Sequence, residues 1–152
     1  MKPDRGAVCD LLAEYGALID MAKFDEWLDL FAEECRYQII PRENFDRGLP
    51  AGLVFCDSRA MLEDRIRALR EANKYNIHTD RHVIGLPRVF EDGLALEAPF
   101  AVFQTNQEGE TRLFATGLYR DRIEREGDAR RIAEKLVLLD TFAVPTLLAT
   151  PL

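Results

Sequence analysis

His78-Thr79-Asp80-Arg81-His82 is the densest run of side chains that could bind a metal or move a proton. On a strand, alternation turns His78, Asp80 and His82 to one face. Residues four apart on a strand stand roughly 13 Å apart, at about 3.3 Å per residue. Two imidazoles so separated rarely share one ion at bond lengths of about 2 Å. Helical spacing would suit a metal, but the run follows the helix-ending residues Asn73 and Asn76 and opens a strand-rich region. The expected role is therefore that of two hydrogen-bonded histidines at a strand entrance, with no metal ligands assigned. Cys9, Cys35 and Cys56 have no histidine two or three residues on, so the two-cysteine, two-histidine set of a Rieske cluster is missing. They read as buried small apolar side chains, and their odd number and wide spacing suit a reducing cytoplasm rather than a disulfide framework. Gly48-Leu-Pro-Ala-Gly52 lacks the lysine and the long preceding strand of a phosphate cradle, and no G-x-S-x-G elbow occurs. What remains is metal-free acid–base chemistry in an apolar pocket, for which Asp25, Tyr37, Asp80 and His82 are the fallback candidates. Nothing in their spacing forces them together. The favoured assignment is structural, with Tyr37 in the core, Asp25 capping a helix, His82 structural and no catalytic or cofactor-binding residue.

The elements that would position these groups begin with helices. Val8, Leu11, Leu12, Tyr15, Leu18 and Ile19 make one apolar face, and Phe24, Trp27, Leu28 and Phe31 a second, shorter one, with Asp20 to Lys23 as the joint. Cys35 to Ile40 reads as a strand stopped by Pro41, and Arg42 to Pro50 as a polar loop. A third helix follows Asp57 or Ser58 as its cap, burying Met61, Leu62, Ile66, Leu69 and Ala72 and pairing Glu63 with Arg67 and Arg67 with Glu71. From about His78 the period is two. Gly85 and Pro87 interrupt Val83 to Phe90, and Pro99 inside a later strand suggests a bulge. Glu91-Asp92-Gly93, Glu108-Gly109 and Glu126-Gly127-Asp128 mark hairpins between strands at about Leu94 to Asn106, Thr111 to Glu124 and Arg130 to Phe142. Helices followed by a long antiparallel meander give an α+β domain, with a strongly twisted sheet wrapped around a helix as a cone.

One domain spanning 1–152 is expected, since 152 residues can bury a sizeable core but not two. The net charge of −7 is spread over interspersed acids and bases, so nucleic-acid binding has no electrostatic support. No apolar run approaches a membrane span, and the first residues lack the apolar core of a secretory signal. The last seventeen residues, L-V-L-L-D-T-F-A-V-P-T-L-L-A-T-P-L, carry Asp140 as their only charge in a chain that is 31% charged. Leu136 to Leu139 do not alternate, so both faces there require cover. Either the domain's own core or another chain must bury this end. A docking surface in an assembly is the preferred expectation.

The stretch G-L-P-A-G-L-V-F-C-D-S-R-A-M-L-E-D-R-I-R-A-L-R-E-A-N-K-Y from Gly48, with R-H-V-I-G-L-P from Arg81, resembles the small (β) subunit of aromatic-ring-hydroxylating dioxygenases. F-D-E-W-L-D-L-F-A-E-E-C-R-Y from Phe24 and D-T-F-A-V-P-T-L-L-A-T-P-L from Asp140 extend the likeness over nearly the whole chain. It is nearest the small subunits of terephthalate dioxygenase, anthranilate dioxygenase and salicylate 5-hydroxylase. The resemblance implies the cone-shaped, nuclear-transport-factor-2-like (cystatin-like) fold, with N-terminal helices packed on a strongly curved antiparallel sheet. It also implies a large (alpha) subunit as partner, carrying the Rieske [2Fe-2S] cluster, the mononuclear iron and the substrate. This chain would be a structural, non-catalytic member of a homo-trimer core in an α3β3 assembly, with no cofactor of its own. Arg42, Arg47, Tyr75 and Arg81, polar or aromatic residues beside loops, are candidate contacts to that partner. The alternative is a stand-alone dehydratase or isomerase, or a ligand-binding protein, using the cavity of the same fold.

Overall fold

The computed structural model describes residues 4–49, 52–72, 77–90, 92–140 and 151–152. Helix α1 (Arg5–Asp20) starts where the Asp4 carboxylate accepts the Ala7 N–H at 3.0 Å. Its apolar face is buried as its spacing predicts. It ends in a paired turn, with Ala22 N–H donating to Ile19 O and Lys23 N–H to Leu18 O, which places Ala22 at φ 57°. Helix α2 (Phe24–Leu28) buries Phe24, Trp27 and Leu28. Phe31 shares their helical spacing, yet it opens strand β1 (Phe31–Pro41). The Leu30 carbonyl is taken by the Ile132 N–H at 2.8 Å, and this long-range pairing overrides the local period.

The segment read as a polar loop contains a short helix, α3 (Arg42–Asp46), begun by the extended Pro41. Strand β2 (Val54–Cys56), too short to leave a periodic signal, pairs antiparallel with β1. Helix α4 (Arg59–Ala72) is capped by Ser58, whose Oγ accepts the Met61 N–H at 3.2 Å. Leu62, Ile66 and Leu69 form its buried stripe, but Met61 faces solvent because it lies in the capped first turn. On the wet face Glu63 meets Arg59, and Arg67 meets Asp64. Asn73 and Asn76 lie outside the described residues.

Strands β3 (Thr79–Ile84), β4 (Arg88–Val89), β5 (Ala95–Thr105), β6 (Thr111–Glu126) and β7 (Ala129–Leu139) complete one sheet. Its order is β2-β1-β7-β6-β5-β3, with β4 also on β5. All these pairings are antiparallel except β1 with β7, which run parallel. Register shifts at Phe31/Arg36, Val102/Phe103 and Arg122/Ile123 bend the sheet into its cone. Pro99 is not the bulge. Its missing N–H faces the gap between β3 and β4, and the Gly85 N–H reaches its carbonyl from that same gap at 2.8 Å. Gly117 is required where it stands, since a Cβ there would lie 2.1 Å from the Leu138 carbonyl oxygen.

The concave face carries Tyr37, Ile39, Phe100, Tyr119, Ile132, Val137 and Leu139 against α1, α2 and α4. The run Leu136 to Leu139 is covered on both faces, as its lack of alternation requires. Val137 and Leu139 enter the core, while buried Leu138 stands in register between Ile40 and Leu118 on the other face. Residues 141–150 lie outside the described set. Pro151 and Leu152, however, are buried, and Leu152 belongs to the domain's own core. For these two residues the preferred expectation of a docking surface is corrected. No helix among the described residues is long and apolar enough to cross a membrane.

Candidate functional site

The interior of the cone is where helices α1 and α2 meet strands β1, β6 and β7. Tyr15, Trp27, Phe31 and Tyr37 pack there with ring centroids 4.8 to 6.4 Å apart, in tilted and edge-on contacts. Phe100 stacks on Tyr119 at 4.2 Å, with room made by Gly117 across the strand pair. Two phenols converge on the main chain of Leu152. Tyr15 Oη donates to the Leu152 carbonyl at 2.6 Å and Tyr37 Oη to the same oxygen at 3.0 Å, while the Leu152 N–H donates to Tyr37 Oη at 3.1 Å. Burial raises the pKa of Tyr15, Tyr37 and Tyr119 above the usual phenol value, so all three are neutral donors.

Beside them lies a fully buried ion pair. Lys135 Nζ is 2.9 Å from Asp121 Oδ2 and sits between the faces of Tyr15 and Tyr119, 3.7 and 3.8 Å from their centroids. Burial lowers the Lys135 pKa and raises that of Asp121, each against the pull of its partner's charge. Asp121 Oδ1, Tyr119 Oη and Trp27 Nε1 have no hydrogen-bond partner among the described residues. Nothing in the local pattern marks this lysine, because Lys135 follows the same two-residue alternation as Val137 and Leu139.

The fallback candidates do not assemble into one site. Tyr37 is in the cone, bonded to Leu152. Asp25 projects into solvent and pairs with Arg70 at 2.8 Å instead of capping α2. Asp80 and His82 share a face of β3, as alternation requires, but serve different partners. Asp80 Oδ1 meets His78 Nε2 at 3.3 Å. His82 Nδ1 meets Asp20 Oδ1 at 2.6 Å, and its backbone N–H donates to Asp20 Oδ2 at 2.9 Å, which fastens the end of α1 to the free edge of β3. With a carboxylate as acceptor, Nδ1 carries the proton. The two histidines at the start of β3 thus each meet a different carboxylate. Asp20 was missed because only the packing of α1 on β3 brings it to His82.

Next to this contact a groove of about 330 Å³ runs between α1 and β3, walled by Leu12, Ala13, Ala17, Ile84 and Pro87, with Arg81 at its rim. Cys35 and Cys56 are buried in the core near β1 and β2, and burial pushes the Cys35 thiol up to about 11. Among the described residues no group of three or more His, Cys, Asp or Glu side chains could hold a metal ion. The donors among the described residues therefore fit neither a Rieske cluster nor a mononuclear iron. Of the candidate partner contacts, Arg42 pairs with Asp140, Arg47 pairs with Glu43, Arg81 is exposed, and Tyr75 lies outside the described residues.

Together these features define an α+β cone of the nuclear-transport-factor-2 kind, filled from within by its own side chains. The chain belongs to the ring hydroxylating beta subunit family, whose model matches residues 16–146. It is 42% identical over 137 residues to the anthranilate 1,2-dioxygenase small subunit of Burkholderia cepacia, covering 88% of this chain and 85% of that one. It is 40% identical over 144 residues to the beta 2 subunit of the terminal oxygenase component of terephthalate 1,2-dioxygenase from Comamonas sp, covering 92% and 93%. A solved beta subunit assigned to an aromatic-ring-hydroxylating dioxygenase of Novosphingobium aromaticivorans superposes with a TM-score of 0.87 at 40% identity, over 97% of this chain and 96% of that one. The beta subunit of benzoate 1,2-dioxygenase from Burkholderia mallei shares the fold at a TM-score of 0.75 and 18% identity, over 91% and 92%. The dehydratase or isomerase alternative is overturned by this family membership, and its four proposed groups are dispersed.

Proposed function

We propose that this chain is the structural, non-catalytic small subunit of a Rieske-type aromatic-ring dioxygenase that acts on an aromatic acid. The observation that carries the proposal is the family match over most of the chain, with relatives named for anthranilate and terephthalate dioxygenases. The interior supports it: the cone is packed with Tyr15, Trp27, Phe31, Tyr37 and Leu152, which leaves a scaffold rather than a substrate chamber. In this proposal the large subunit holds the Rieske [2Fe-2S] cluster, the mononuclear iron and the substrate. Three copies of this chain form the core of an α3β3 assembly in the cytoplasm, with neither nucleic acid nor membrane as partner. Co-expression with a cognate large subunit tests it. A complex that survives size-exclusion chromatography, with aromatic-acid oxygenation confined to fractions holding both chains, is the expected result. Two chains that elute separately at every salt concentration refute it.

A further inference from the structure

Leu152 is 1% exposed although it lies far along the chain from everything that holds it. Its main-chain oxygen takes two phenol hydrogen bonds and its N–H gives a third, so Tyr15 and Tyr37 hold the main chain of this one residue on both sides. Strands satisfy buried backbone groups through ladders. Here, instead, side chains from α1 and β1 take up the N–H and the oxygen of a single residue. The leucine side chain joins the same core cluster as Trp27 and Phe31. Asp121 Oδ1, Tyr119 Oη and Trp27 Nε1 are buried in this interior without partners among the described residues, a polar setting more usual for a binding site than for a structural core. Twelve residues before Leu152, Asp140 is fixed to the sheet by its N–H to Thr116 O at 2.9 Å, its carboxylate to Thr116 Oγ1 at 3.1 Å and Arg42 at 3.3 Å. The chain is therefore held at two points, once on the sheet and once inside the cone.

We propose that the Tyr15–Tyr37 seat is a peptide-binding site occupied in cis by Pro151 and Leu152, and that it takes a short apolar peptide of the same chemistry in trans once this segment is removed. The proposal stands apart from the subunit assignment, because it concerns only contacts within one chain. Affinity comes from burial of the leucine side chain and specificity from the two phenols. A charged side chain in place of leucine is rejected, since the seat offers it no counter-charge that Lys135 and Asp121 do not already neutralise for each other.

The test is a variant of the full chain ending at Thr150, titrated with acetyl-Pro-Leu and acetyl-Pro-Asp and followed by thermal unfolding and calorimetry. The expected result is a lowered unfolding midpoint that acetyl-Pro-Leu raises again with saturation, no response to acetyl-Pro-Asp, and no binding of either by the intact chain. Tyr37→Phe in the shortened chain should weaken acetyl-Pro-Leu by about fivefold to tenfold, the worth of one or two hydrogen bonds. Equal responses to both peptides, equal binding by the intact chain, or no binding by a folded shortened chain would overturn the proposal. Should the shortened chain not fold, Tyr37→Phe in the intact chain decides. Amide exchange at Leu152 must quicken by about fivefold or more while β6 and β7 stay protected. Unchanged exchange at Leu152 rejects the seat.

Discussion

Lys135→Met would remove one charge from a pair in which both side chains are essentially unexposed and 2.9 Å apart. At an effective dielectric of about 20, the gross attraction across that distance is about 6 kcal/mol, and desolvation of the two ions offsets much of it. The substitution leaves Asp121 buried without its cation, with Oδ1 already lacking a partner among the described residues. The expected cost is about 3–5 kcal/mol. The Lys135→Met/Asp121→Leu double variant should return to within about 1 kcal/mol of the parent, because no uncompensated charge remains. Urea unfolding followed through Trp27, the only tryptophan and one in direct ring contact with Tyr15, measures all three differences. The pH dependence has a definite sign. Burial already raises the Asp121 pKa, and loss of Lys135 raises it further. An acid whose folded pKa lies above its unfolded value keeps its stability contribution at low pH and loses it as pH rises. The Lys135→Met penalty should therefore shrink between pH 7 and pH 5. A single variant costing under about 1 kcal/mol, or costs that simply add in the double variant, would refute the reasoning.

Three further outcomes follow from particular contacts. Tyr15, Tyr37 and Tyr119 have folded pKa values raised above the unfolded phenol value, so their contribution is complete below about pH 10 and lost as pH rises further. Stability should fall above pH 10 by up to about 4 kcal/mol per pH unit, and their phenolate absorbance should appear only with unfolding. Ala22→Gly should stabilise the domain by about 0.5–1 kcal/mol in chemical denaturation, because Ala22 occupies a left-handed turn at φ 57° that glycine adopts without strain. Gly117→Ala should cost at least about 3 kcal/mol or prevent folding, since its methyl would meet the Leu138 carbonyl oxygen at 2.1 Å and the Phe100 ring at 2.9 Å. A soluble variant with a parent-like unfolding midpoint would show that the sheet can yield there.

The elements visible in the sequence were those with an unbroken period. Helices α1 and α4 and the hairpins at Gly93, Gly109 and Gly127, whose glycines have φ of 70°, 82° and 62°, lie where spacing and turn residues place them. What was hidden depends on long-range pairing. Phe31 continues the helical spacing of Phe24, Trp27 and Leu28, and only its neighbour's bond to Ile132 reveals a strand. Leu152 reads as a greasy end in need of cover, and nothing local identifies Tyr15 and Tyr37 as what covers it. Lys135 and Asp121 look like the solvated charges of two amphipathic strands, yet alternation turns both to the inside. His82 was legible as a strand residue, but its partner Asp20 lies 62 residues away.

Strand β1 finds its neighbour β7 about a hundred residues later in the chain. At synthesis rates of roughly 5–20 residues per second, the nascent polypeptide waits on the order of 5–20 s with that edge bare. Cys35, Tyr37 and Ile39 must stay clear of aggregation meanwhile, shielded by no more than α1, α2, α4 and the three-residue β2. Docking of β7 thus closes the sheet, and Leu152 enters the core only after it. Any surface built across β1 and β7, including one that receives another polypeptide, comes into existence only after β7 has been synthesised and has docked.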